Sequence, residues 1–369
     1  MDCKYFGKCG SCTLYDLNYE EQKQFKIDDM KKAFAAFGIK EFEWHSSKIS
    51  HYRSRAEFMV YHDKDNISYA MHRLDKNGKL PIDKCPKTDE KIFDLMPELL
   101  AYIEKSDILR KNLFGVEFLS SKDEVLVVLL YHKKLDDIWT DAAKECAEEF
   151  RIKIIGRSRN IKISLSEDFV KERLHVEQKR YLYNIHEGSF SQPNRGVNEQ
   201  MIGWIAKNIS DTKRTDLLEL YCGHGNFTIA LSSLFGKVLA TEISKSSIHA
   251  AKVNAALNGV ENISFVRLSS EELTDALKSK REFKRLEGVD IFSYDFTHVL
   301  IDPPRAGLDE ASREFVKRFP NIIYISCNPQ TLERDLTDLT KTHKVVRFAL
   351  FDQFPYTKHI ESGVMLERL

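Results

Sequence analysis

The spacing of apolar side chains along this 369-residue chain changes character twice. From Tyr19 to Phe37 apolar positions recur at helical intervals among Glu, Gln and Lys, which predicts an amphipathic helix ending near Gly38. Beyond it come short β-branched or aromatic runs bounded by turn residues: Arg55–Tyr61, Val116–Leu119, Val125–Leu130 and Ile152–Ile155. With helical spacing near 91–105 and 138–150, these runs predict an antiparallel, β-rich domain reaching to about residue 185. From about residue 197 helix and strand alternate, as an open parallel sheet with helices on both faces requires. Its strands are predicted at Asp216–Tyr221, Val238–Thr241, Ile263–Leu268, His298–Ile301, Ile322–Ser326, Val345–Phe351 and Gly363–Glu367. No repeat, low-complexity tract or long linker separates the halves, so they should pack closely around a cleft.

Composition supports two domains, residues 1–185 and 186–369, because 42% hydrophobic residues over this length can fill more than one core. No apolar stretch is long enough to span a membrane, and the start MDCKYFGKCGSC lacks the basic-then-apolar layout of a secretory signal. The expectation is a cytoplasmic protein without membrane association, and nothing implies a protein partner. Lys and Arg total 56 against 56 Asp and Glu, so any nucleic-acid surface must be local. Candidate basic patches are Arg53 with Arg55, Lys133 with Lys134, the run Lys153, Arg157, Arg159 and Lys162, and Arg281 with Lys284 and Arg285. Each alone is better explained as a solvated face. Seven cysteines, three of them within the first twelve residues, suggest reduced thiols with metal-ligand spacing.

Asp216-Leu-Leu-Glu-Leu-Tyr221-Cys-Gly223-His-Gly225-Asn226-Phe-Thr228 reads as a buried strand running into a Gly-rich turn that opens a helix. A dinucleotide fingerprint would want a third glycine where Thr228 stands. Glu242 closes the next strand, where an acidic side chain can accept hydrogen bonds from ribose hydroxyls. The arrangement resembles class I S-adenosylmethionine-dependent methyltransferases. At the end of the fourth strand, Asp302-Pro303-Pro304-Arg305 sets a rigid exposed loop. Methyltransferases acting on exocyclic amines usually end this loop in an aromatic that stacks on the base, and Arg305 points instead to a ring-carbon acceptor.

Ser326-Cys327-Asn328-Pro329 puts a cysteine just past the carboxyl end of a strand, with Asn328 as helix N-cap and Pro329 as first helical residue. The helix dipole should raise thiolate character at Cys327. A thiolate is what uracil needs, because C5 is too weakly nucleophilic until addition at C6 makes the ring an enolate. The proton then left on C5 calls for a base. Glu361, just before the final strand, is the candidate and His359 its rival.

From His51-Tyr-Arg53-Ser-Arg55-Ala-Glu-Phe58, through Tyr131-His-Lys-Lys134-Leu-Asp-Asp137 and Ser189-Phe-Ser-Gln192-Pro-Asn194, to Phe351-Asp-Gln-Phe-Pro-Tyr-Thr-Lys-His359-Ile-Glu361, the chain resembles the bacterial tRNA uracil-5-methyltransferase family. That resemblance implies an α/β class I methyltransferase domain behind a β-rich RNA-recognition domain. It also implies that Gln192, Tyr221, Asn226, Glu242 and Asp302 surround S-adenosyl-L-methionine, with Cys327 nucleophilic and Glu361 basic. The implied partner is tRNA, the target a T-loop uridine that becomes ribothymidine. One feature departs from the best-known tRNA enzymes: Cys3, Cys9 and Cys12, with Cys85, resemble the iron-sulfur pattern of the related 23S rRNA uracil-5-methyltransferases. They imply a [4Fe-4S] cluster, with zinc as rival, and rRNA as the alternative substrate. An inactive RNA-binding iron-sulfur scaffold would have no use for intact Cys327, Asp302 and Glu361.

Overall fold

Two sheets and one hairpin carry the chain, and the computed structural model describes residues 1–64, 66–209, 215–279 and 281–369. The eight-stranded sheet is ordered Glu43–His45, His343–Phe351, Glu361–Arg368, Asn321–Ser326, Phe296–Ile301, Asp216–Leu220, Val238–Thr241, Ile263–Val266. All its pairs are parallel except those made by Glu361–Arg368, which runs antiparallel between its neighbours. Asp216–Leu220 and Val238–Thr241 are buried throughout, the condition that makes such strands read as continuous apolar runs. Chain order reverses at Asp216–Leu220, which lies between Val238–Thr241 and Phe296–Ile301, so a ligand crevice opens at the carboxyl ends there. The expected class I sheet is therefore present.

The seven-stranded sheet is ordered Lys79–Ile82, Asn66–His72, Arg55–Asp63, Leu113–Ser120, Val125–Tyr131, Lys153–Ser158, Ile161–Ser164. Only Val125–Tyr131 and Lys153–Ser158 pair in parallel, and the Asp137–Phe150 helix makes the crossover that a parallel pair needs. The hairpin Phe169–Val176 and Lys179–His186 joins the halves: its Leu174, Val176, Tyr183 and Ile185 share a core with Leu119, Leu126, Met201 and Trp204. Periodicity does not reveal the first hairpin strand, because buried Glu172 interrupts the apolar side of the alternation. Its carboxylate meets Arg195 Nε at 2.6 Å, and Arg195 also reaches the Ser120 carbonyl at 3.3 Å and Asp89 at 3.5 Å. One half-buried guanidinium thus pins hairpin, sheet and the Arg195–Asn208 helix together.

The predicted amino-terminal helix runs Tyr19–Ala33, capped by Asn18 and Glu21 in a reciprocal capping box, and a short 3-10 turn carries it to Gly38. It packs on the eight-stranded sheet, not the seven-stranded one, with Met30 and Phe34 in a core with Phe348 and Leu350. Lys26, almost fully buried, ion-pairs with Asp352 at 2.6 Å. Glu43–His45 then adds the sheet's edge strand, too short to show any periodicity. Among the described residues no helix is long and apolar enough to cross a membrane.

Candidate active site

The Gly-rich turn forms where three consecutive odd positions take left-handed backbone: Tyr221 (φ 61°), Gly223 (φ 55°) and Gly225 (φ 87°). Only Gly225 is sterically closed, since a Cβ there would meet Ile229 Cδ1 at 2.9 Å. Glu242 ties this turn to the next strand end: its carboxylate accepts the Gly223 N–H at 3.2 Å, Ile243 N–H at 2.8 Å and Ser244 N–H at 2.9 Å. Tyr221, Glu242 and Asp302 follow the carboxyl ends of three adjacent strands. Gln192 and Asn226 line a small cavity with Asn198, His224, Glu172 and Arg195. Asn226 and Asn198 exchange amide hydrogen bonds at 2.8 and 2.9 Å, and Gln353 donates to Gln192 at 2.9 Å. Asn198 and Gln353 were not singled out from sequence; Asn198 lies one helical turn after Asn194, the only local hint.

Below the turn lies Glu219, fully buried, whose carboxyl burial pushes up to about 8. Asp302, next along the sheet, is raised to about 7 by desolvation. The loop it begins is held from outside. The Arg305 carbonyl accepts from Asn328 Nδ2 at 3.0 Å and from Thr331 Oγ1 at 3.2 Å, so the loop is stapled to the helix that follows Cys327. Asp335 on that helix, wholly buried, accepts the Leu308 N–H at 2.9 Å and the Tyr324 hydroxyl at 2.6 Å. Gly307 (φ 70°) passes so close that a Cβ would sit 2.7 Å from Asp335 Oδ2.

Cys327 and Glu361 come together through strand register. Ser326 pairs with Ser362 across the antiparallel junction, so the next position on each strand sets Cys327 against Glu361. Asn328 caps the Pro329–Leu339 helix as expected. The expected rise in thiolate character does not follow. The Cys327 thiol is pushed up to about 11, first by burial and then by the Glu361 and Asp302 carboxylates, while Arg305 opposes them. A helix terminus, worth a fraction of a kcal/mol to about 1 kcal/mol at most surface sites, loses to desolvation plus two like charges. Glu361 itself, 4% exposed, is raised well above the ordinary carboxylate range by burial and by Asp302. His359, on the surface, is lowered by partial desolvation of its ring and then by Arg305.

The basic patches divide. Arg53 donates to the Arg55 carbonyl at 2.7 Å, and Arg55 donates to the Ser189 and His186 carbonyls, so both are half-buried and engaged with protein. Lys133, Lys134, Arg157 and Arg159 instead surround one open groove of about 1140 Å³ on the seven-stranded sheet. Phe114 and His132 lie stacked in it, centroids 3.9 Å apart. Sequence shows these residues as separate clusters, and only the sheet brings them into one surface.

Cys3, Cys9, Cys12 and Cys85 line a single small apolar cavity with Tyr5, Phe6 and Lys87. Burial raises the Cys12 thiol to about 11, and the neighbouring thiols add to it. Among the described residues, however, no group of three or more His, Cys, Asp or Glu side chains stands ready to hold a metal ion. The four thiols share one cavity, and an iron-sulfur site there is not shown.

With this geometry in hand, known proteins give a consistent frame. The profile of the tRNA (Uracil-5-)-methyltransferase family matches residues 18–369. The tRNA/tmRNA (uracil-C(5))-methyltransferase of a Nitratiruptor species is 53% identical over 369 residues, covering 100% of both chains. Its counterpart from Campylobacter concisus is 51% identical over 367 residues, covering 100% of this chain and 99% of its own. In fold, the Pyrococcus abyssi tRNA (uracil-54, C5)-methyltransferase, solved with S-adenosyl-L-homocysteine, superposes with a TM-score of 0.73 at 24% identity, over 96% of this chain and 85% of its own. A buried carboxyl set against a cysteine at the carboxyl edge of a class I sheet, together with this full-length similarity, assigns the chain: it belongs to the tRNA (uracil-5-)-methyltransferase family.

Proposed function

We propose that this protein transfers the methyl group of S-adenosyl-L-methionine to C5 of a uridine in the tRNA T loop, the position named uracil-54 in the Pyrococcus abyssi relative, giving ribothymidine. The observation that carries the proposal is the register that sets Cys327 against Glu361 beside Asp302. Cys327 adds to C6 as thiolate, its proton passing to solvent, and the ring becomes an enolate with its electron pair at C5. C5 takes the methyl, and S-adenosylhomocysteine leaves with the sulfonium's bonding pair. Glu361 removes the C5 proton, the C5–C6 double bond re-forms, and the Cys327 thiolate departs. Held well above the ordinary carboxylate range, Glu361 must be ionised before this step, and in that form its affinity for a proton taken from carbon is raised. Gln192, Tyr221, Asn226, Glu242 and Asp302 hold the methyl donor along the sheet edge.

The target base must leave its stack to meet Cys327 and the sulfonium together. The groove of Lys133, Lys134, Arg157 and Arg159, with its Phe114–His132 stack, is the better surface for the surrounding RNA than Arg53 and Arg55. The four-thiol cavity favours a structural [4Fe-4S] cluster on Cys3, Cys9, Cys12 and Cys85, since its donors match that group's thiolate requirement. Such a cluster would join the amino-terminal arm to the seven-stranded sheet and take no part in methyl transfer. Seven cysteines without a disulfide suit the cytoplasm.

Incubation with tRNA, tmRNA and 23S rRNA transcripts plus labelled methyl donor, followed by mapping of the modified nucleotide, tests the substrate. Label confined to rRNA would replace tRNA as target. Anaerobically purified protein should carry iron and acid-labile sulfide in nearly equal amounts, and zinc alone or no metal would remove the cluster.

A further inference from the structure

The segment Asp352–Ile360 delivers Glu361 to the site, and besides a local turn at Phe354–Thr357 it is held by residues far away in sequence. Tyr356 is its fixed point. The Thr13 and Leu14 N–H groups donate to the Tyr356 carbonyl at 2.9 and 3.0 Å, and the Tyr356 N–H donates to Gln22 Oε1 at 2.7 Å. Phe6 packs on its ring at 5.4 Å between centroids. On either side, Lys26 Nζ donates to the Phe354 carbonyl at 3.1 Å and the Tyr52 hydroxyl to the Pro355 carbonyl at 3.1 Å. Tyr356 has φ 64°, left-handed backbone that a non-glycine residue keeps only where its surroundings over-determine it. Here the surroundings are the amino-terminal arm together with Gln22, Lys26 and Tyr52.

The arm is anchored at its other side to the seven-stranded sheet. Lys87 Nζ donates to Ser11 at 2.6 Å (Oγ) and 2.9 Å (carbonyl), and the Gly10 N–H donates to the His72 carbonyl at 2.9 Å. Phe6 and Cys12 both line the four-thiol cavity, and Cys12 immediately precedes the Thr13 amide that grips Tyr356. A continuous set of contacts therefore runs from the thiol cavity through residues 6–14 to the segment ending in Glu361.

We infer that the amino-terminal arm, acting through Tyr356, is a positioning element for the base: it holds Glu361 at the C5 proton and thereby sets the rate of release of the covalent RNA adduct. The inference rests on Glu361 being the base. Loosening the arm leaves Cys327 and the methyl donor in place, so addition and methyl transfer proceed while elimination slows. An element that merely stabilised the fold would instead lower every step together.

The test uses the full-length protein with a tRNA T-arm transcript. Thr13→Pro deletes one N–H that grips Tyr356; Phe6→Ala removes the ring contact and serves should the proline disturb folding. Glu361→Gln is run alongside as reference. Both arm variants should bind S-adenosylhomocysteine within about twofold of the parent and turn over about 3- to 10-fold more slowly, with a matching rise in the fraction of enzyme trapped as a denaturant-stable adduct carrying labelled methyl. Adduct accumulation in Glu361→Gln but not in the arm variants would overturn the inference and leave the base assignment standing. No accumulation in any of the three would remove the base assignment and the inference with it. Turnover and methyl transfer falling together in the arm variants, without adduct, would reduce the arm to a structural element.

Discussion

Replacing Glu361 by Gln should make Cys327 more reactive as a free thiol even as it blocks turnover. The thiol is held at about 11, so at pH 7 only about one molecule in ten thousand carries the thiolate. After burial, the Glu361 carboxylate is the largest contributor to that elevation, Asp302 the next, and Arg305 acts in the opposite sense. Glu361 is itself raised well above the ordinary carboxylate range, so its like charge is present only towards alkaline pH; where it is ionised, removing it, at an effective dielectric constant of about 20 and with partial solvent access, is worth about 1 kcal/mol. That corresponds to about fivefold more thiolate at the alkaline end of the range, below the thiol's titration, and to a smaller gain towards pH 7. The intrinsic nucleophilicity of a less basic thiolate falls by less than half as much on a logarithmic scale, so the net gain should be about two- to threefold. Iodoacetamide modification of the Cys327 peptide, followed by mass spectrometry from pH 7 to 10 without RNA, gives the rate directly and separates it from the other six cysteines. Rates should rise about tenfold per pH unit through this range, because only the thiolate reacts. The order should be Glu361→Gln, then Asp302→Asn, then parent, then Arg305→Ala as slowest. Unchanged modification in Glu361→Gln across the whole range would show that the two groups do not sense one another and would refute the geometry from which the mechanism is drawn.

Other outcomes follow from the same structure. Glu219, raised to about 8 by burial, binds a proton in the folded state that the unfolded chain releases near the usual carboxylate range. Its penalty on stability is therefore absent at pH 4 and grows as pH rises towards 8, so Glu219→Gln should gain on the order of 2–4 kcal/mol relative to the parent at pH 8.5 and nothing at pH 4.5 in urea titrations. An equal gain at both pH values would mean the carboxyl is not buried protonated. Gly307→Ala should cost about 1–3 kcal/mol and reduce turnover, because the new Cβ strikes Asp335 and the backbone must leave φ 70°; an unchanged melting temperature would contradict the close approach. Arg195→Met should cost about 3 kcal/mol by stranding buried Glu172, and the Arg195→Met/Glu172→Met pair should recover most of it; equal losses in both would assign the effect to packing. Lys134→Ala with Arg159→Ala, both exposed, should weaken tRNA binding and reduce the slope of log affinity against log salt by about two, with methyl-donor affinity unaffected. An unchanged slope would move the RNA elsewhere.

What sequence could and could not show divides along range of interaction. The Gly-rich turn, the Asn328 cap with Pro329, and the buried strands of the eight-stranded sheet are decided within a few residues, and each appears where local pattern puts it. The three-residue strand Glu43–His45 is decided by pairing with Ala349–Phe351 and has no local signature at all. The same holds for chemistry. A helix terminus behind Cys327 is legible in Cys-Asn-Pro, and taken alone it predicts an activated thiolate. The carboxylates that outweigh it arrive on other strands, Asp302 from the loop after Phe296–Ile301 and Glu361 through the register of the final antiparallel pair. A one-residue slip in that pair would point Glu361 to the other face, so its candidacy as base depends on register, which no local pattern encodes. The basic groove illustrates the converse. Lys133 and Arg159 each read as solvated surface, because the property that distinguishes them, convergence with Phe114 and His132 on one face, exists only once Leu113–Ser120, Val125–Tyr131 and Lys153–Ser158 lie side by side. Resemblance to a family supplied Glu361 and its segment; it said nothing of what holds them, since Thr13, Gln22 and Lys26 carry no motif, Tyr52 has no role assigned within the His51–Phe58 run, and all four act through backbone and buried side-chain contacts. A catalytic side chain at the end of a segment held by distant residues is as well placed as that hold allows, so on the inference above the rate of the last chemical step depends on the amino-terminal arm together with Gln22, Lys26 and Tyr52.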